Sequence, residues 1–254
     1  MGSIMPIKHA PDFNRDVVPT VVCVNKSTLD LEVDFDRLVR ALQRFLDEVF
    51  VPVWGTPAKL VKSKDPKPGC WHLVFLDDAD QKGTSSFHDI TYSGMPIAKV
   101  FVRPAKKSGE VISVTACHEL LEMLVDPSAA LWTDGPRGTV WAYEVCDVVE
   151  DDKIDFNGIQ MSDFVYPAYF DMFRLKRGAK STQYDYLKKV KRPFQILDGG
   201  YSDIHKKRGG VTTKWGSPEK KKHFQEEDRR YHRSQFRRKR HKSRGRQKSR
   251  RNET

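Results

Sequence analysis

Cysteine is scarce in this sequence. The four present, Cys23, Cys70, Cys117 and Cys146, have no CxxC spacing, which excludes a disulfide scaffold and a zinc ribbon and predicts reduced, mostly buried thiols of a cytoplasmic protein. Long apolar runs are also missing. None reaches the roughly 18 residues of a membrane span, and the opening MGSIMPIKHAPDFNRD lacks the apolar stretch of a secretory signal. Pro6 stands where a myristoylation signal needs Ser or Thr, which argues against lipidation. There is no P-loop, no GxSxG and no GxGxxG in a strand–helix setting, so nucleotide-cradling and serine-hydrolase chemistries have no motif to rest on. No internal repeat is visible.

Charge is present but uneven. The 254 residues carry 45 Lys/Arg against 34 Asp/Glu, net +11. From His205 onward there are 20 Lys/Arg against 5 Asp/Glu, leaving 25 against 29 for residues 1–204, a net of −4. The high isoelectric point therefore describes the C-terminal stretch, and the rest of the chain is mildly acidic. Between Arg229 and Arg251 there is no aliphatic residue, so no core can form there. The reading is an N-terminal arm over 1–17, one domain over 18–204, and a disordered or partly helical basic tail over 205–254. Arg229, Arg230, Arg233, Arg237, Arg238, Lys239, Arg240, Lys242, Arg244 and Arg246 are its candidate phosphate contacts, with Tyr231 and Phe236 able to stack on bases. The plainer alternatives are a solubilising tail or one that meets an acidic protein surface. A charge this one-sided favours nucleic acid.

Within the domain the expected elements come in α+β order. TVVCVN (20–25) is a β-branched buried strand. Leu38, Val39, Leu42, Phe45, Leu46, Val49 and Phe50 recur at helical spacing behind Asp34 or Asp36 as cap. Pro52 is expected to end that helix, with a second strand around Trp54 over 53–61. WHLVFL (71–76) is the next strand, SSFHDI (85–90) shows no clear period, and IAKVFV (97–102) is an alternating strand expected at a sheet edge and closed by Pro104. Residues 139–149 alternate in part, as strand or short helix. Asn157-Gly158 between β-prone residues predicts a type I′ hairpin. The domain closes on PFQILDGGY (193–201).

The stretch that carries chemistry is ACHELLEMLVDP (116–127), read as an amphipathic helix over 113–125 stopped by Pro127. His118 and Glu122 are one turn apart and share a face, so both can hold one ion. Glu119 lies beside that face, where a general base for an activated water belongs. The pattern is the zincin HExxH helix with Glu122 in place of the second His. A hydrolytic site needs a third ligand. Glu144, in YEVCD, is the first choice, with Asp147 behind it to orient His118 or replace it, and Asp126 in reserve. Eight residues of helix, roughly 12 Å, separate Asp126 from His118, which disfavours it unless the helix breaks at Pro127. One imidazole and two carboxylates form a harder donor set than two imidazoles. Zinc remains the first expectation, with manganese, iron and calcium as alternatives. Such a set should also acidify a bound water less. Set against this is the plain reading that His, Glu and Glu lie on the solvated face of an ordinary helix.

Other candidates are weaker. Cys117 and Cys146 adjoin candidate ligands and offer soft coordination. Glu150, Asp151, Asp152 and Asp155 lack the spacing of a calcium loop and read as a solvated hairpin start. His72 and His88 stand alone in sequence and read as packing or capping residues. Tyr143, Tyr166 and Tyr201 offer oxyanion donors but read as core aromatics.

The motifs HELLEML-D-P (118–127), YEVCD with its acidic followers (143–152) and SDFV-PA-F (162–170), together with WHLVFLDDADQ-G and PFQIL-GGY, resemble a family of uncharacterised bacterial and phage-encoded proteins. The resemblance covers roughly residues 18–202 and leaves out the basic tail. A looser similarity to zincin metallopeptidases rests on the helix, the α/β order before it and the downstream Glu. It implies a zincin-like mixed sheet with two main helices over 18–204. The activity expected is metal-dependent hydrolysis, peptidase-like, with a peptide or protein substrate pairing along 97–102. The alternative is a phage structural or nucleic-acid-associated protein whose metal site is vestigial or structural. The expected location is accordingly cytoplasmic, with virion association as the alternative.

Overall fold

The computed structural model describes residues 17–80, 84–172, 182–206 and 210–226. Five strands, β1 (Thr20–Asn25), β2 (Lys59–Ser63), β3 (Trp71–Leu76), β4 (Ser86–Ile90) and β5 (Pro96–Phe101), form a mixed sheet in the order β2-β1-β3-β5-β4. All neighbours run parallel except β4, which pairs antiparallel with β5 at the end of the sheet. The period-2 pattern sorts the side chains. Val21, Cys23, Leu73, Phe75, Ala98 and Val100 enter the main core, while Val22, Val24 and Val74 form a smaller cluster with Cys70, Leu76 and Ile97, as alternation requires.

Helix α1 (Phe35–Phe45) begins on an Asp34 cap that accepts from the Arg37 N–H at 2.9 Å and lays Leu38, Val39, Leu42 and Phe45 into the main core. Pro52 does not end the helical run. A π-turn over Leu46–Phe50 widens the ladder first, with the Val51 N–H reaching back to the Leu46 carbonyl. Pro52 then falls in the first turn of a short helix α2 (Val51–Trp54), where its missing N–H costs nothing. Gly55, at φ +64°, closes that turn. The strand expected around Trp54 therefore starts only at Lys59, and Trp54 instead donates from Nε1 to the Val165 carbonyl at 2.9 Å.

Two further expectations for the sheet are corrected. The stretch around SFHDI, periodless to the eye, is the terminal strand β4. The run 97–102, expected at the edge, is β5, flanked by β3 and β4. Pro104 lies in the first turn of helix α3 (Val102–Lys107) rather than after a strand.

Helix α4 (Ile112–Val125) is buried at every position, so it has no solvated face. It is enclosed by β4 and β5 and by the hairpin β8 (Lys153–Phe156)–β9 (Ile159–Ser162), to which Ser113 Oγ donates through the Gln160 carbonyl at 2.7 Å. The hairpin turn is the expected one: Asn157 and Gly158 take φ +56° and +73°. A second, antiparallel sheet runs in the order β11 (Gly210–Trp215), β10 (Tyr201–Lys206), β7 (Val140–Ala142), β6 (Trp132–Asp134).

Ordered structure thus continues past residue 204. Helix α5 (Pro218–Glu226) follows β11, and Lys220 lies against Glu150 at 2.8 Å and Asp151 at 2.6 Å. Burial works to lower the Lys220 pKa, but Glu150 and Asp151 outweigh it and raise it. The basic residues proposed to meet phosphates, 229–246, lie outside the described residues, as does the arm up to residue 16.

Two buried carboxyls, Asp163 and Asp185, sit near each other in the core with unequal partners. Asp185 accepts backbone N–H groups from Lys189 and Val190, at 2.9 and 3.0 Å. Asp163 accepts the Phe164 N–H at 2.8 Å and hydrogen-bonds the Asp185 side chain. Burial, with Asp185 and Asp152 nearby, pushes Asp163 up to about 8 despite the Phe164 bond, so it holds the proton. A raised folded-state pKa contributes stability that is fully present below the unfolded value of 3.8 and is lost as pH rises to about 8. Thermal unfolding of Asp163→Asn, which mimics the protonated form, should therefore show a flatter fall of Tm with pH across that window. An unchanged slope would remove this assignment.

Candidate metal centre

The site forms because α4 carries ionisable side chains into a buried space. His118, Glu119 and Glu122 come from α4, His88 from β4, Glu144 from the segment after β7, and Asp147 from the 3₁₀ turn Asp147–Val149. All six are buried, with His118 the most exposed at 8%. The plain reading, charges on a wet helix face, does not survive this burial.

The donor atoms fall into two groups that share Glu122. His118 Nε2 is 3.3 Å from Glu122 Oε1 and 3.3 Å from Asp147 Oδ1. On the other side, His88 Nδ1 is 3.4 Å from Glu119 Oε2 and 3.6 Å from Glu122 Oε2. Each trio could hold one metal ion, and a third grouping places His88 with Asp126 and Glu144. Donors each about 2.0–2.2 Å from a tetrahedral ion lie about 3.3–3.6 Å apart. A charge-assisted N–H···O bond is shorter, about 2.7–2.9 Å. Spacings of 3.3–3.6 Å can therefore accommodate ligands around a cation.

His118 and Glu122 lie together, as their spacing on the helix predicts. Asp147, expected behind the ligand set or in reserve, supplies the carboxylate beside His118. Glu144, the first choice for third ligand, sits on the His88 side, with Oε2 3.8 Å from His88 Nε2. Asp126 serves the chain: its carboxylate accepts the N–H groups of Ala130 and Leu131 at 2.9 and 2.8 Å and shapes the loop after the helix. Glu119 accepts from Ser86 Oγ at 2.7 Å through Oε1, leaving Oε2 toward His88.

His88 is the residue that the sequence reading passed over. Its signal was Ser86 and His88 at i, i+2 in a short β-run, which places both on one face of the strand. That face turns to α4.

Burial works to lower the His118 pKa, but the Glu122 charge, hydrogen bonds to Asp147 and Glu122, and the Glu119 charge outweigh it and hold it well above the ordinary value. Soft coordination finds no support: burial lifts the Cys117 thiol to about 12, and burial with the Glu122 charge lifts the Cys146 thiol well above its ordinary value. Among the described residues no cysteine enters any of the three groups. Cys146 contributes its backbone N–H, bonded to Glu122 Oε1 at 3.2 Å.

The remaining candidates resolve as structural parts. His72 Nε2 lies 3.0–3.1 Å from the backbone of Lys67. Tyr143 stacks on Phe170 with centroids 4.0 Å apart, and Tyr201 lies against Trp215 at 5.6 Å. Tyr166 stacks on Phe164 at 5.7 Å. Glu150 and Asp151 pair with Lys220, and Asp152 pairs with Lys189.

No protein-family model, no curated protein and no solved structure matches the chain. Among the described residues, no helix is long and apolar enough to cross a membrane.

If these donors hold a divalent ion, binding stabilises the fold by linkage, about 2.7 kcal/mol when free ion stands 100-fold above Kd. For a chain of this size that is roughly 5–10 °C in Tm. Differential scanning calorimetry of chelator-treated protein with and without Zn²⁺ or Mn²⁺ should show this rise, and His118→Ala should abolish most of it.

Proposed function

We propose that the chain is a metal-dependent hydrolase, peptidase-like, whose basic tail binds nucleic acid. The observation that carries this reading is the convergence of His118, Glu122 and Asp147 in a buried space with Glu119 one residue away on the same helix. A divalent ion held there supplies Lewis acidity, polarising a scissile carbonyl and lowering the pKa of an attacking water. The protein's part is to orient and to move a proton. His118 and Glu122 are fixed by a helix that cannot rotate, because every one of its faces is packed. Asp147 is held by the 3₁₀ turn, whose Val148 carbonyl accepts the Leu197 N–H at 3.1 Å. The Glu119 carboxylate takes the proton from water, and Ser86 Oγ keeps it turned toward the cluster.

The mixed sheet flanked by α1 and α4 supports a zincin-like scaffold. With 97–102 inside the sheet, the strand on which an extended substrate can add is β4, its terminal member. The donor set keeps zinc first and manganese, iron or calcium as alternatives. The resemblance to bacterial and phage-encoded proteins is consistent with this reading. A cytoplasmic location goes with it.

Burial of the centre favours one competing reading. An ion enclosed this tightly can act as a structural staple in a phage structural or nucleic-acid-associated protein, including a virion component. The two readings separate on Glu119→Gln. For a hydrolase, the substitution should lower turnover of a peptide or protein substrate by at least 100-fold while the ion at His118 and the Tm are retained. Metal-loaded protein that cleaves no substrate, but melts earlier when stripped, would favour the staple.

The tail is tested separately, and the cut must spare β11 and α5. Deleting 227–254 should abolish salt-sensitive binding to DNA or RNA in a fluorescence anisotropy titration. Unchanged affinity would assign the tail another role.

A further inference from the structure

The second donor group holds more than its sequence suggested. His88 Nε2 lies 3.1 Å from the backbone carbonyl of Asp126. A carbonyl oxygen only accepts, so Nε2 carries a hydrogen and the ring orientation is fixed by that bond. This is how a metal-bound imidazole is usually held from behind. In the neutral ring Nδ1 then presents its lone pair to Glu119 Oε2 at 3.4 Å and Glu122 Oε2 at 3.6 Å. These three atoms form one of the groupings whose spacing could hold a metal ion.

The bridging element is present. Glu122 turns Oε1 to His118 and Oε2 to His88, so its two oxygens serve different groups. Carboxylates that bridge in this way occur in two-metal sites, where the ions lie about 3.5–4 Å apart.

We propose that the protein binds two divalent cations across Glu122, one with His118 and Asp147, the other with His88 and Glu119. This rests on the metal-site reading above and extends it.

The test uses full-length, untagged, chelator-treated protein titrated with Mn²⁺ alone. Bound metal is counted by elemental analysis after gel filtration, and the bound ions are observed by electron paramagnetic resonance. Wild type should bind two Mn²⁺ per chain and give the spectrum of an exchange-coupled pair. His88→Ala should bind one and give the six-line spectrum of an isolated ion. His88→Gln, which keeps a polar side chain in the strand, serves if the alanine variant does not fold. One ion per chain in wild type, two ions without coupling, or two ions retained in the His88 variants would overturn the two-ion proposal and leave the site at His118 standing. No bound ion at all in wild type would remove that site as well.

Discussion

The constraint on which this structure turns is the burial of several carboxylates around helix α4. Elsewhere the described chain meets buried charge in ordinary ways. Lys220 answers Glu150 and Asp151, and Asp163 keeps its proton beside Asp185. Around α4 the groups facing Glu119 and Glu122 include two imidazoles, His88 and His118. Removing the compensation from a buried charge costs about 3–5 kcal/mol. The whole stability of a domain is about 5–15 kcal/mol, so the groups that compensate this centre matter to the fold.

The scaffold follows from the same need. A helix buried on every face must be apolar or internally compensated, and α4 is both. Ala116, Leu120, Leu121 and Leu124 enter the core, while His118, Glu119 and Glu122 are compensated by groups brought from other elements. Those elements are distant in sequence, but each is locked by short-range structure. β4 is locked by its ladder with β5, Asp147 by its 3₁₀ turn, and the loop after α4 by the Asp126 carboxylate.

Much of this was legible in sequence, where a residue's role depends on near neighbours. The His118–Glu122 pair follows from helical spacing, the β8–β9 turn from Asn157-Gly158, and β1 and β3 from their β-branched runs. The rest depended on partners that spacing does not reveal. SFHDI has too few apolar residues to show a period, so β4 has no mark in the sequence, His88 reads as a packing or capping residue, and 97–102 reads as an edge strand. Pro52 reads as a helix stop because a π-turn leaves no sequence mark. Glu144 and Asp147 lie three residues apart, so only the turn between them decides which faces His118. The basic composition after 204 concealed β11, which brings Trp215 against Tyr201, whereas a helical part of that stretch was legible and is α5, with Lys220 against Glu150 and Asp151.

The central claim is that His118 and Glu122 bind a metal ion. The most direct measurement is an anomalous difference map from crystals of the protein grown with Zn²⁺ and collected at the zinc edge. This account predicts a peak about 2.0–2.2 Å from His118 Nε2 and Glu122 Oε1, within the buried space between α4 and the Asp147 turn. A map with no peak there, or with zinc bound only at Cys117 or Cys146, would contradict it.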